Sequence, residues 1–148
     1  MIRIYNESDF EYLETIYNLS KRDEFIGEDF NIIVTPLSQD QPMLDLFYAS
    51  KIYIYHMDAI TGFIGLKDNY ISWLFVHPEF RGQGIGKKLL SHALSLLDGE
   101  VILNVVRSNL IAVSLYKSLG FSVAREFIGH YQNNPVVVWK MSRVAKNE

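Results

Sequence analysis

The sequence predicts one mixed α/β domain, residues 1–148, whose sheet is mostly antiparallel. A length of 148 residues is typical of one domain, and a hydrophobic fraction of 49% can fill a packed core. Segments with strand and helix periodicity follow in the order β-α-(α)-β-β-β-α-β-α-β-β. The helix that begins near Ile85 is a crossover, so the strands on either side of it should run parallel.

Short apolar segments bounded by turn residues are predicted to be β-strands. They are residues 2–5, 52–56, 62–66, 71–76, 101–106, 121–128 and 136–141. Residues 57–61 and 132–135 are the expected turns between neighbouring strands, and Pro78 ends the fourth strand.

Apolar residues at helical spacing predict three helices. They are residues 8–19, 85–97 and 111–119. Either Asn6 or Ser8 caps the first helix, because both side chains can accept hydrogen bonds from free amides. Gly120 ends the third helix. The last residues, 144–148, are expected to fray.

Residues 21–50 lack a clear period, and we expect one or two helical pieces there, broken near Pro36 and Pro42. Aromatic side chains in this segment suggest a partly apolar cleft, although core packing explains them equally well. They include Phe25, Phe30, Phe47 and Tyr48.

The composition excludes several classes of function. The chain has no cysteine, which rules out disulfides, thiolate metal sites and cysteine nucleophiles. A net charge of −3 does not suit a general nucleic-acid surface. The start MIRIYNESDF has no apolar signal region, and no apolar run would span a membrane, so a cytoplasmic protein is expected. His56, His92 and His130 lack metal-ligand spacing, and no metal is expected.

The most informative segment is a glycine-rich loop between the fourth strand and the next helix. The first N–H groups of a helix lack partners and attract anions. Gly82, Gly84 and Gly86 leave those groups uncovered. Basic residues cluster here on an otherwise acidic chain, at Arg81, Lys87 and Lys88. The spacing fits neither the dinucleotide fingerprint, whose third glycine would fall at a lysine or leucine, nor the P-loop.

The loop matches R-x-x-G-x-G, and here the chain resembles the GCN5-related N-acetyltransferase (GNAT) superfamily. The resemblance continues in Asn104, Asn109 and Ala112, and in residues 115–121, which are similar to the family's Y-x-x-x-G-F ending. It is specific over about residues 71–121. Within the superfamily the chain is most similar to small bacterial members of the YjaB and YiaC type, whose substrates include protein lysines. The resemblance implies a sheet of about seven strands flanked by about four helices. The sheet is expected to be splayed between strands four and five.

The resemblance also implies the cofactor contacts. Backbone amides of the loop would hold the pyrophosphate of coenzyme A, and the side chains of Arg81 and Lys87 would add positive charge. The loop residues are Arg81, Gly82, Gln83, Gly84, Ile85 and Gly86. Backbone groups of Leu74, Phe75 and Val76 would pair with the pantetheine arm, and one N–H would polarise the thioester carbonyl.

By the same resemblance, Tyr116 donates a hydrogen bond to the leaving thiolate. Asn104 either caps the open edge of the sheet or is a structural amide with satisfied hydrogen bonds. Asn109 caps the following helix, either alone or while also contacting the cofactor. Four residues are candidates for a general base, and the sequence singles out none of them. They are Glu24, Glu28, His77 and Glu79.

The resemblance implies an N-acetyltransferase that uses acetyl-CoA as co-substrate and acetylates a primary amine directly in a ternary complex. The amine belongs to a small molecule, a protein lysine or a protein N-terminus, and no nucleic-acid or membrane partner is expected. Residues 21–50 and the turn before Pro135 are expected to line the acceptor site. Two alternatives stay open: a non-catalytic acyl-CoA-binding module, and a transferase of another acyl group. The chain is a monomer or a homodimer.

Overall fold

A computed structural model describes residues 1–144 of the chain. Apart from Val144, the expected frayed end at 144–148 lies outside the described residues. The strands are β1 (Ile2–Ile4), β2 (Lys51–Met57), β3 (Ala59–Lys67), β4 (Tyr70–Val76), β5 (Glu100–Val106), β6 (Ser122–Tyr131) and β7 (Asn134–Val144). The α-helices are α1 (Phe10–Ser20), α2 (Gln41–Ala49), α3 (Ile85–Ser95) and α4 (Leu110–Ser118). Short 3₁₀ turns occupy Glu7–Asp9, Lys21–Phe25, Leu37–Gln39 and Pro78–Phe80.

The strands form one seven-stranded sheet in the order β1-β2-β3-β4-β5-β7-β6. Neighbouring strands are antiparallel except for β4 and β5, which are parallel. This confirms the predicted fold class. β4 and β5 are paired only at Tyr70 and Ile102, next to a 3.0 Å hydrogen bond from the Ile102 N–H to the Asn69 carbonyl. Beyond that point the two strands part, so the expected splay is present.

A β-bulge in β4 accompanies the splay. The pairing of β3 with β4 shifts from Gly65 opposite Trp73 to Leu66 opposite Ile71, which leaves Ser72 as an extra residue. The Ser72 hydroxyl lies 2.9 Å from that of Ser50, the residue between α2 and β2. A bulge bends and twists the strand that carries it. The end of β4 therefore turns away from the line of β5.

Helices cover the sheet on both faces. α3 and α4 pack their apolar sides on one face, where Leu89, Leu90 and Ala93 are fully buried. α1 and α2 pack on the other face around Phe47, against a group of aromatic side chains. That group comprises Tyr17, Phe63, Trp73 and Phe75. Phe47 therefore belongs to the core, whereas Tyr48 beside it is 54% exposed.

Several predicted boundaries differ from the structure. Pro42 does not break a helix but lies in the first turn of α2, where proline removes no helical hydrogen bond. Asn6, rather than Ser8, provides the cap, and it caps the 3₁₀ turn that leads into α1. The hairpin between β6 and β7 is tighter than expected, because Gln132 and Asn133 both adopt positive φ and form the turn alone.

Arg3 and Asp9 join β1 to the start of α1. Two 2.9 Å hydrogen bonds connect the guanidinium to the carboxylate, and Asp9 also accepts a 2.8 Å bond from the Asn6 N–H. The hydrogen bonds from Arg3 lower the pKa of Asp9 below its usual value, although burial acts in the opposite direction.

We expect Asp9→Asn to lower the free energy of unfolding by about 1–2 kcal/mol at neutral pH, since it removes a charge-assisted pair. The folded-state pKa of Asp9 is depressed, so the stabilisation is present above about pH 4, the usual aspartate pKa. It is lost as pH falls through the lower folded-state pKa. Urea unfolding of both proteins from pH 7 to pH 2 tests this, with Asp98→Asn on the exposed surface as control. A destabilisation that stays constant with pH would contradict it.

Candidate active site

The glycine-rich loop presents a row of free backbone donors. Gly82 and Gly84 have φ of 79° and 77°, in the left-handed region that favours glycine. The first helical bond of α3 runs from the Lys88 N–H to the Gly84 carbonyl, 3.0 Å. Among the described residues, no acceptor is within hydrogen-bond range of the amides of residues 81–87. The loop therefore offers adjacent N–H groups at the positive end of a helix, a favourable site for an anion.

The three glycines of the loop are under different structural constraints. A Cβ at Gly82 or Gly84 would meet nothing within 4 Å, so the space above the loop is open and backbone conformation is the constraint. A Cβ at Gly86 would lie 3.4 Å from the Leu115 side chain. An alanine at this position would therefore make an ordinary contact with α4, and Gly86 also lines the cleft.

A cleft of about 790 Å³ runs from this loop toward the opening between β4 and β5. Its volume lies in the range of small-molecule sites, about 300–1,000 Å³. All the predicted cofactor-contacting residues except Gln83 line it: Leu74, Phe75, Val76, Arg81, Gly82, Gly84, Ile85, Gly86, Lys87, Asn109 and Tyr116. A smaller cavity of about 200 Å³ continues between the splayed strands and includes Asn104.

The backbone of β4 turns alternate groups toward this opening. The His77 N–H donates to the Thr61 carbonyl at 2.7 Å, which marks that pair as hydrogen-bonded. Since the pattern alternates along an antiparallel ladder, Phe75 bonds to β3, while Leu74 and Val76 point their N–H and C=O groups toward β5. The ladder therefore does not support the backbone role expected of Phe75, whose ring packs edge-on against Tyr17 in the core.

Two side chains already donate hydrogen bonds to the Val76 carbonyl. The Ser20 hydroxyl donates to it at 3.2 Å and the Arg81 Nε at 3.3 Å. The Arg81 guanidinium also forms an ion pair with Asp23, and the two side chains are 39% and 37% exposed. The positive charge expected at the loop is thus present, but an acidic residue of the chain shares it.

Tyr116 lies where the cleft meets the gap in the sheet. Its side chain is 8% exposed and packs edge-on against Phe121. Burial raises the pKa of its hydroxyl well above the usual value, and the nearby Glu24 and Tyr70 add to the effect. No described residue forms a hydrogen bond with this hydroxyl. At neutral pH the group is a protonated donor without a partner.

The two predicted asparagines have distinct settings. Asn104 is an exposed residue of β5 that lines the gap, on the opposite face from Leu103 and Val105. It lies close to Tyr70, where its hydrogen bond lowers the tyrosine pKa against the larger, raising effect of burial. Asn109 caps α4 by accepting from the Ala112 N–H at 3.5 Å, and it also lines the cleft.

Of the four base candidates, only Glu24 lines both the cleft and the gap. Glu28 accepts a hydrogen bond from the Ser108 hydroxyl, and His77 accepts one from the Glu79 N–H at a turn. The structure therefore distinguishes Glu24, which the sequence did not. Sequence reasoning also missed Lys21, whose Nζ lies 2.8 Å from Glu24 Oε2. The one available signal was their i,i+3 spacing.

Within residues 1–144, no group of three histidine, cysteine or acidic side chains is arranged to hold a metal ion. In the same range, no helix is long and apolar enough to cross a membrane.

Known proteins share parts of this sequence. The acetyltransferase (GNAT) domain family matches residues 48–123. The peptidyl-lysine N-acetyltransferase YjaB of Salmonella typhimurium is 46% identical over 66 residues, which cover 45% of this chain and 45% of that protein. YjaB of Escherichia coli is 41% identical over 66 residues, 45% of this chain and 44% of that protein. The similarity thus spans a little under half the length of these relatives.

Solved structures share the fold over nearly the whole chain. A GCN5-related N-acetyltransferase from Rhodopseudomonas palustris superposes with a TM-score of 0.79 at 16% identity, covering 98% of this chain and 95% of that one. YncA of Salmonella typhimurium, solved with its cofactor acetyl-CoA, gives a TM-score of 0.70 at 18% identity, covering 100% and 95%. At such identities the likeness shows the fold.

The loop geometry predicts opposite effects for two glycine substitutions. Gly84→Ala should lower the free energy of unfolding by about 1 kcal/mol, because an alanine is strained at positive φ. Gly86→Ala, in the first turn of α3, should leave it unchanged or raise it by up to about 1 kcal/mol through helix propensity. Thermal and denaturant unfolding of the two variants provide the comparison. Equal destabilisation would show that the left-handed conformation is not the constraint.

Proposed function

We propose that this chain, which belongs to the acetyltransferase (GNAT) family, transfers the acetyl group of acetyl-CoA to a primary amine. One observation carries the proposal. The unpaired amides of residues 81–87 open onto a cleft that leads into the splayed sheet and ends at the free hydroxyl of Tyr116. A diphosphate, an extended arm and a reactive thioester require these three features in this order.

The residues present fit coenzyme A. The amides of the loop would bind the pyrophosphate, with Lys87 at the cleft wall as a further cation. On β4, the free N–H and C=O of Leu74 would bind the pantetheine arm, and that N–H is our candidate for polarising the acyl carbonyl. Bound acetyl-CoA would supply an acetyl group already activated as a thioester. Ile26, Leu110 and Ile111 are exposed apolar residues at the rim of the cleft and would shield the arm from water.

Tyr116 would donate a proton or a hydrogen bond to the departing sulfur. Even with ordinary pKa values near 10 for tyrosine and 8.5 for a thiol, full transfer is uphill by about 2 kcal/mol. Burial raises the pKa of Tyr116 further. The hydroxyl therefore stays protonated, and hydrogen-bond donation is its main contribution, with proton transfer completed late.

Glu24 would accept the proton of the amine. An alkylammonium with a pKa near 10.4 is neutral in about one part in a thousand at pH 7, a cost of about 4 kcal/mol. Glu24 is the acidic side chain placed at both the cleft and the gap. Its partner Lys21 keeps a positive charge beside the carboxylate. An entering ammonium would have to share Glu24 with Lys21.

The names of the relatives favour the side chain of a protein lysine as the acceptor. The two YjaB proteins are peptidyl-lysine N-acetyltransferases. A screen should therefore combine acetyl-CoA with lysine peptides, polyamines, amino acids and aminoglycosides and measure released thiol. Thiol release with an amine would support the proposal. Binding of acetyl-CoA without turnover of any amine would favour a non-catalytic module. Faster reaction with another acyl-CoA would identify the chain as a transferase of that acyl group.

Tyr116→Phe should lower kcat about 100-fold, because it removes the donor to the leaving sulfur. The dissociation constant of acetyl-CoA should change little, since the loop amides and β4 remain. Assays of released thiol at fixed time points measure kcat, and calorimetric titration measures the dissociation constant. Tyr55→Phe is the matched control, as Tyr55 is equally buried and does not line the cleft. Equal loss of activity in both variants would remove Tyr116 from the mechanism.

Asp23→Asn should tighten coenzyme A binding about two- to fivefold, because an exposed ion pair is worth at most about 1 kcal/mol. Without the Asp23 carboxylate, the Arg81 guanidinium is available to a phosphate. The gain should shrink as salt rises. Titration calorimetry at low and high salt tests this, with Glu126→Gln in the exposed Arg107 pair as control. Weaker binding in Asp23→Asn would show that Asp23 supports the site rather than competing with the ligand.

A further inference from the structure

One face of the sheet is open beside the gap between β4 and β5. On this face, α1 and α2 pack on β2, β3 and β4. Phe25 and Ile32 pack against Val106 of β5 and Val138 of β7. The next residues along this face include Asn104 of β5 and Arg125 of β6, and both are exposed. The sheet itself therefore forms the surface between the gap and the edge strand β6.

Three polar residues form a row across this open surface. Asn104 is paired with Lys140, and Lys140 is paired with Arg125. Residues paired across strands lie on the same face of the sheet, here the face opposite to Leu103. Neighbouring strands are about 5 Å apart, so the backbone of Lys140 lies about 5 Å and that of Arg125 about 10 Å from Asn104. We call Lys140 and Arg125 the cationic row.

The two cations of this row lack a balancing charge within the chain. Like charges that lie directly opposite each other destabilise a sheet. The chain has 17 acidic residues against 14 basic ones, yet neither Lys140 nor Arg125 forms an ion pair with a described residue. The Arg125 guanidinium instead lies over the ring of Phe127, 4.9 Å from its centre. An anion bound by both cations would relieve their repulsion.

A negative charge lies at the other end of the row. Glu24 and Asn104 both line the gap, together with Tyr116. A ligand that extends from the gap toward β6 therefore meets the Glu24 carboxylate first and the cationic row next. An ammonium group followed by carboxylates has the complementary order of charges.

We propose that the cationic row binds acidic side chains next to the target lysine, so that the acceptor is a lysine in an acidic segment of a protein. This rests on the proposed function. An extended peptide advances about 3.3 Å per residue, so glutamates or aspartates within about three positions of the lysine can reach the row. β6 is an edge strand, which leaves the row accessible to a polypeptide.

The test compares three peptides that have a blocked N-terminus and one lysine, flanked by two glutamates, two glutamines or two arginines. Released thiol gives kcat and KM for each peptide with acetyl-CoA. We expect kcat/KM to be about three- to tenfold higher for the glutamate peptide than for the glutamine peptide, since each exposed ion pair contributes at most about fivefold. The difference should lie in KM and shrink as salt rises.

Substitutions in the row should change this preference selectively. Lys140→Gln and Arg125→Gln should each lower it by about two- to fivefold. They should leave kcat on the glutamine peptide and the dissociation constant of acetyl-CoA unchanged. They should also leave the melting temperature unchanged or raise it, because a repulsion is removed. Lys51→Gln is the matched control, since Lys51 is an exposed lysine of another strand whose Nζ lies 5.6 Å from the ring centre of Tyr53.

The double charge reversal Lys140→Glu with Arg125→Glu should turn the preference toward the arginine peptide. A role in stability alone would not produce such a reversal. If the double variant does not fold, the two single glutamine variants still decide the question.

Equal kcat/KM for the glutamate and glutamine peptides would overturn the inference, and so would a preference that persists in both single variants. Equal losses on all three peptides would assign the row a structural role instead, and weaker binding of acetyl-CoA would assign it to the cofactor. Turnover of small amines but of no lysine peptide would refute the acidic protein acceptor and leave the proposed function intact. Binding of acetyl-CoA without turnover of any amine would overturn both.

Discussion

β4 and β5 are held together by one backbone pair, Tyr70 with Ile102, and the rest of the site follows from their divergence. Past that pair, the edges of β4 and β5 that face each other carry backbone groups with no strand to bind. A buried backbone group left without a hydrogen bond costs about 1–3 kcal/mol. Ser20 and Arg81 satisfy the Val76 carbonyl, but Leu74 receives no such partner from a strand. A gap of this kind favours an extended, hydrogen-bonding ligand, which is why the splay and the glycine-rich loop form one site.

The 3₁₀ turn Lys21–Phe25 connects the two ends of that site. Asp23 reaches the glycine-rich loop through Arg81, while the next residue, Glu24, faces the gap and pairs with Lys21. A charge that displaces Asp23 from Arg81 therefore acts on the segment that carries the acceptor-side carboxylate. If the loop binds the cofactor as proposed, this short turn connects the loop with the gap more directly than the sheet does.

Sequence patterns within a few neighbouring residues made part of the fold and of the candidate site predictable. The glycine-rich loop, α3, α4 and the role of Asn109 as a cap each depend on neighbours within a few residues, and the sequence identified them. The contact of the Lys21 ammonium with the ring of Tyr131 joins residues distant in the chain, and the bulge at Ser72 depends on the register with β3. No periodicity encodes such contacts. The extent of one domain over 1–148, a cytoplasmic location and the choice between monomer and homodimer stay predictions.

Glu24 and Tyr116 are also linked electrostatically. The negative charge of Glu24 is one of the causes that raise the pKa of Tyr116, after burial itself. In the proposed mechanism, that charge would disappear when Glu24 takes up the proton of an amine, and the pKa of Tyr116 would fall. The hydroxyl would then donate more readily to the departing sulfur, at the stage when negative charge develops there. The proton uptake proposed to make the amine a nucleophile would thus also assist the leaving group, although different residues carry the two proposed functions.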